Sequence, residues 1–475
     1  MRINIPDWLI RNISFRPRPR RSPSRWERRL GKAMQALVTI ALAIFGIWRV
    51  HLHYQITRQF AGIRSAGWPA SPQDLNRWYA EVPPASNAAV GLAQAFGLLR
   101  TFPDKRVNEI DRARVLDRRE DWSAETRARI AEYVAMNSNA LAHAQAGLSR
   151  PQCRYPVDLT YGFLALYPHL PKLKTLARTA ALRAILAAEQ GQRTDWPPDI
   201  RLMLQLAATL ASEPTLISQL TRDSVLAMSV QATERCLNQS GFGNESAELI
   251  GAFAGAVNTN AFRLGLIGER ASAVPVFRMS WAEMRQGEKA QKAEVTMPKP
   301  PPLAGRPNPF LWLTGFLERD LSFFLGVMET NIALAAYRPP ASLALTNIAQ
   351  QFDEIANRNL YIFSQKVLPS IGRAAVRDAT TIARIRLAQT ALALARYRVV
   401  RGELPVDLAD LVPRFLAAVP TDPFNGESLR YRRSDQGFIV YSVGADGHDD
   451  GGREMPLDAK SSDTYTYDLA FTIEH

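Results

Sequence analysis

Ala33 to Trp48 (AMQALVTIALAIFGIW) runs sixteen residues without a charge, and Val50, Leu52 and Tyr54 extend the apolar character past Arg49. A spanning helix needs ~20 predominantly apolar residues, so the run suffices when Lys32 and Arg49 carry their charges to opposite interfaces. Trp26 on one flank, and Trp48 and Tyr54 on the other, suit the two interfacial belts. The pattern predicts one transmembrane helix over residues 33–54, helical to about Arg64.

Beyond it, residues 65–296 read as a multi-helix domain. Ser71-Pro72-Gln73-Asp74 has the form of a capping box with Pro at the first helical position, so a short helix should carry Leu75, Trp78 and Tyr79. Helices over Asn87–Phe102 and Ser123–Leu148 follow, with Ser123 as the cap of the second. Leu176, Ala180, Leu182, Ile185 and Leu186 recur in helical period, as do Met203, Leu206, Leu210 and Ile217. Pro197-Pro198 and Pro214 mark the edges of these stretches. No fixed repeat period emerges, so a bundle or stacked pairs is expected in place of a defined solenoid.

Residues 297–309 (MPKPPPLAGRPNP) hold six prolines in thirteen positions, the composition of a linker or surface loop. Residues 310–376 continue the helical text, with Leu313, Leu317, Leu321, Phe324, Met328 and Ile332 as a stripe. Glu318, Arg319 and Asp320 interrupt it, which makes it a core helix and not a second span.

In residues 377–475 the pattern changes. Ile385, Ala388, Leu392, Ala395 and Val399 form one apolar face of a helix that ends at Gly402, and Pro405 blocks continuation. A short helix around Val406–Phe415 and a turn-rich loop, Thr421 to Gly426, come next. Leu429–Arg433 and Phe438–Ser442 flank Ser434-Asp435-Gln436-Gly437 and predict a β-hairpin. Asp446, Asp449 and Asp450 then fall among Gly444, Gly447, Gly451 and Gly452. Calcium takes roughly six to eight oxygen ligands, and such a stretch offers carboxylates together with a backbone free to curl its carbonyls inward.

The order LAQTALALARYRVVRGELP, then VPTDPFNGESLRYRR, then GFIVYSVGADGHDDGG resembles the soluble part of the major pseudopilin of type II secretion systems, over about residues 380–455. In that family a long helix is followed by an Asp-Pro-aromatic loop, a small sheet and a Gly-x-Asp-Gly loop that binds calcium. The resemblance therefore implies a small α+β module, with calcium as cofactor at Ser442, Asp446, Asp449 and Asp450. Two features depart from the family. Its spanning helix is the first half of the long helix, whereas here 328 residues separate Trp48 from Arg377. The position five after Gly31, a Glu in the family, is Ala36, so processing and pilus assembly are not implied. The whole chain also resembles the large membrane-anchored proteins of planctomycetes and their relatives that end in such a module, a resemblance that brings no activity.

Composition alters this picture in one place. Of the net +13 charge, +8 lies in residues 1–32, where ten Lys or Arg face Asp7 and Glu27. Positive flanks stay in the cytoplasm, so the tail reads as topogenic. The N-terminus is then cytoplasmic, the bulk of the chain periplasmic, and the site a bacterial inner membrane. RPRPRR has no folded recognition element around it, and no nucleic-acid partner is expected. Arg49-Val50-His51-Leu52-His53-Tyr54 offers no small-residue cleavage site, which favours a retained anchor over a signal peptide. Cys153 and Cys236 are the only cysteines, excluding a disulfide scaffold or thiolate zinc site while leaving one pairing open.

Local motifs for chemistry are missing: there is no His-Glu-x-x-His, Gly-x-Ser-x-Gly, P-loop or Rossmann glycine pattern. His51 and His53 read as interfacial, His143 and His169 as packed or solvated. Glu318 and Asp320, two apart on a helix, face different ways and make a poor acid–base pair. The lone Gly241-x-Gly243 implies no phosphate site. The expectation is a noncatalytic interaction or structural protein whose partners are the lipid bilayer and other envelope proteins. An envelope hydrolase with a site assembled from distant residues is the alternative, and no small-molecule substrate is identifiable.

Overall fold

The computed structural model describes residues 24–102, 116–278, 313–337, 340, 344–434, 436–456 and 467–474. The linker segment 297–309 and most of the basic tail fall outside them. By contact the chain divides into two units, Met1–Gln55 and Ile56–His475.

In the first unit the described residues are Ser24 and those of helix α1 (Arg25–Ser65) as far as Gln55. Ser24 opens it as a reciprocal box: its hydroxyl accepts from Glu27 N–H at 3.2 Å, and its own N–H donates to the Glu27 carboxylate. An 18-residue window of α1 is long and apolar enough to cross a membrane, and none of that window is buried in protein. Leu37, Ile44 and Ile47 are all more than 60% exposed. Among the described residues α1 is the one helix that meets this test.

The second unit is mainly helical. Helices α2 (Pro72–Trp78), α3 (Ala88–Leu98), α4 (Ala124–Met136), α5 (Ser138–Gly147), α6 (His169–Glu189), α7 (Pro197–Ala208), α8 (Leu216–Ser240), α9 (Ala247–Ala256), α10 (Ala261–Ala273), α11 (Phe316–Leu334), α12 (Ala344–Arg358) and α13 (Ser364–Arg401) precede three strands. The expected caps are in place, Ser71 Oγ accepting from Asp74 N–H and Ser123 Oγ from Thr126 N–H, each at 3.1 Å. Gly402 ends α13 in the left-handed region at φ 81°.

Several expectations change: the helix over Asn87–Phe102 ends at Leu98, and Leu313 and Val399, placed on apolar helix faces, are 62% and 61% exposed, Leu313 lying before its helix starts at Phe316. The helix over Ser123–Leu148 breaks at Asn137, which is fully buried. Its amide oxygen accepts from Arg100 N–H at 2.9 Å, and its NH₂ donates to the Arg100 and Tyr133 carbonyls at 3.1 and 3.0 Å. Serving the Arg100 main chain outweighs helix continuity there. Ile217, placed on an apolar stripe with Met203 and Leu210, is 52% exposed, because the first helix ends at Ala208 and Thr215 caps a new one. The helix around Val406–Phe415 shrinks to a 3-10 turn at Leu408–Leu411, boxed by Asp407 and Asp410.

Helix α8 is the axis of this unit, packing against α6, α7, α10 and α13. Enclosed on several sides, it shows no apolar stripe; Ser229, Thr233 and Ser240 are buried, and each hydroxyl donates to a carbonyl one turn back. The strands β1 (Arg430–Arg433), β2 (Phe438–Ser442) and β3 (Leu469–Ile473) form one antiparallel sheet in the order β1-β2-β3. Arg433 pairs with Phe438 and Phe438 with Ile473. The hairpin matches the sequence reading, and β3 is an addition. The sheet rests on α13 through β2 and β3, and β3 also meets α8, so Phe438, Val440 and Phe471 share one core with Leu226 and Leu237.

Candidate functional site

Asp422, in the turn-rich loop, is fully buried and shapes the end of β2. Its Oδ1 accepts from Ser442 Oγ and Phe424 N–H, and its Oδ2 from Val443 N–H, all at 2.9 Å. Gly444 N–H donates to Ser442 Oγ at 3.2 Å. Ser442 is thus a fully buried strut between two loops, its hydroxyl engaged on both sides.

The acidic loop then turns back over the sheet face that carries Ile439 and Tyr441. All four of its glycines lie at positive φ. Gly452 requires it doubly: φ is 82°, and a side chain there would press within 3.1 Å of both Ile439 and Tyr441. Asp446 is exposed, its Oδ1 accepting from His448 N–H at 3.1 Å. Asp449 Oδ1 accepts from Gly451 N–H at 3.0 Å and its Oδ2 meets Arg430 Nε at 2.8 Å. That backbone hydrogen bond first, and the Arg430 charge with it, hold the Asp449 carboxyl below its ordinary range.

Asp468, at the mouth of β3, is the residue that sequence reading missed. It is 4% exposed, its Oδ2 accepts from Gly452 N–H at 2.7 Å, and its Oδ1 is buried with no partner. Burial pushes its carboxyl up and the Asp449 and Asp450 charges add to this, against the Gly452 and Asp450 main-chain groups, which pull it down. Three carboxylates therefore lie within electrostatic reach of one another, and Arg430 pairs with Asp449. Of the residues picked out in the sequence, Asp449 and Asp450 are brought toward Asp468, while Ser442 is turned to Asp422 and Asp446 to its own loop. Among the described residues no three His, Cys, Asp or Glu groups are gathered into a metal cluster. Asp449, Asp450 and Asp468 offer carboxylate oxygens, the ligand type that a hard cation takes.

A second polar set lies inside the helices. Glu213, fully buried, receives the Ser218 hydroxyl at 2.5 Å on Oε1, and His169 Nε2 lies 3.1 Å from the same oxygen. His169 stacks on Tyr155 with centroids 4.1 Å apart, and Tyr155 shares a hydrogen bond of 2.8 Å with Thr209. Serine and histidine meet through the carboxylate and not each other, so the imidazole does not address the hydroxyl as in a nucleophile–histidine pair. Cys153, half-buried nearby, has its thiol pushed up to about 12 by burial, and Cys236 is buried; both are free thiols. Asp320 is buried as a cap: it accepts from Phe363 N–H, Ser364 N–H and Ser364 Oγ at 2.8, 3.3 and 2.5 Å.

A third set joins the sheet to the helices. Arg118, its side chain 8% exposed, meets Glu234 at 3.3 Å and Glu454 at 2.6 Å, and also pairs with Glu474. No spacing in the sequence relates 118 to 234, 454 and 474, so only the fold reveals the group. No protein-family model matches the chain, and no curated protein or solved structure matches it.

Proposed function

We propose that this is a membrane-anchored envelope protein that acts by binding other proteins, held in a bacterial inner membrane by α1 with its N-terminus in the cytoplasm and its bulk in the periplasm. What supports the anchor is the exposed apolar window of α1, together with the basic flank that precedes it in sequence. The C-terminal part is read as a pseudopilin-like module, and its acidic loop as a calcium site. The single observation behind the calcium reading is the buried, unpartnered Asp468 Oδ1 beside Asp449 and Asp450. A bound divalent cation would neutralise that repulsion and tie the loop to β3. Asp449 and Asp450 hold it from the loop side, Asp468 from the strand side, and Asp446 adds an exposed carboxylate, while Ser442 fixes the loop's origin through Asp422.

Binding to the folded state alone raises stability by mass action. Melts of the full chain in detergent are expected to shift upward with millimolar calcium relative to chelator, and Asp449→Asn with Asp468→Asn to remove the shift. Wild-type melts that coincide in the two conditions would dismiss the calcium site.

A further inference from the structure

The two edges of the sheet are treated differently. Along β3 the outward main-chain groups are taken up by α8. Glu234 Oε1 accepts from Thr472 N–H at 2.8 Å, Asn238 Nδ2 donates to the Thr472 carbonyl at 2.8 Å, and Asn238 Oδ1 accepts from Glu474 N–H at 2.9 Å. At β1, whose one strand partner is β2, no described group does this. Ser434 N–H donates to the Gly437 carbonyl at 3.0 Å, making a hydrogen-bonded pair at the turn. In an antiparallel ladder such pairs alternate, so Arg432 and Arg430 turn their main-chain groups toward β2, while Tyr431 and Arg433 turn theirs outward. A row of outward N–H and C=O groups is a template for an added strand.

The side chains say which strand. Three of the four β1 residues are arginines. Arg430 is tied to Asp449 and Glu427, whereas Arg432 and Arg433 are exposed and make no ion pair among the described residues. Arg398, on α13, donates to the Gln436 carbonyl at 3.0 Å and adds a further cation at the hairpin tip. A second copy of the same edge would meet it with like charge. We propose that β1 is a docking edge for an extended acidic segment of a partner protein, which adds to the sheet as a fourth strand: backbone hydrogen bonds supply the affinity, and Arg432 and Arg433 select acidic side chains. This rests on the reading of the chain as an interaction protein and is independent of calcium and of the anchor.

Charged residues on an edge strand also serve to keep sheets apart. The two roles separate in a titration of the full-length protein in detergent with a fluorescein-labelled peptide of repeated Glu-Glu-Val, which puts glutamates on both faces of an added strand, and with its Lys-Lys-Val counterpart, read by anisotropy. The acidic peptide is expected to bind saturably and the basic one not. Arg432→Gln with Arg433→Gln should weaken binding roughly tenfold. Arg433→Pro, which deletes one outward N–H and spares the ladder to β2, should weaken it as much. The inference is overturned by an absence of saturable binding, by equal binding of both peptides, or by binding that survives Arg433→Pro in a variant that melts like wild type. Self-association of the glutamine variant without peptide binding by the wild type would also overturn it, leaving the arginines as a guard against pairing. Substrate turnover by the same sample would instead refute the interaction reading itself.

Discussion

Burial pushes the Glu234 carboxyl up to about 7, against the Thr472 N–H and the Arg118 charge, which pull it down. Asp223 and Glu269 are also pushed up to about 7 by burial. A carboxyl whose value in the folded state lies above its ordinary 4.5 holds its proton longer in the fold than in the unfolded chain. Stability from such a group is therefore lost as pH climbs from its ordinary value to about 7, and is level above that. Glu234→Gln cannot titrate, so its melting temperature should decline less than wild type across that window, with the other carboxyls that burial raises, Asp223, Glu269 and Asp378 among them, supplying the remaining slope. Parallel curves for the two proteins would show that Glu234 has no such part.

Element boundaries were legible where the chemistry is local. Ser71, Ser123 and Gly402 sit at the helix ends that their types announce, and the hairpin of β1 and β2 followed from alternation around a turn. Reading failed where partners are distant. Asn137 breaks a helix to reach Arg100, and nothing nearby in the sequence signals it. Asn137→Ala would leave the part-buried Arg100 main chain without its amide partner, so a loss of about 1–2 kcal/mol in urea unfolding is expected; a loss under about 0.5 kcal/mol would mean that solvent replaces the amide. The acidic loop shows both limits together. Its aspartates and glycines were conspicuous, but Asp468, sixteen residues beyond Gly452, enters only because β3 returns beside β2.

Across the second unit the C-terminal sheet is part of the helical core. Helix α13, from Ser364 to Arg401, packs against α8, α9 and α12 and also meets β2 and β3. Arg118 fastens the same joint. Removing it leaves Glu234 without its cation, while Arg119 still reaches Glu454 at 3.4 Å, and loss of one partner from a buried charge group costs on the order of 3 kcal/mol. Arg118→Leu should therefore lower the urea midpoint markedly; an unchanged midpoint would place the joint's stability in its apolar contacts alone. The anchor and its orientation stand above all of this, because they decide in which compartment the acidic loop and the β1 edge meet ions and partners. The most direct measurement is alkaline-phosphatase activity of a fusion made after residue 64, followed through membrane fractionation of the bacterial host. The proposed topology predicts an active enzyme that sediments with the membrane; an inactive fusion, or an active one released into the soluble periplasm, would contradict it.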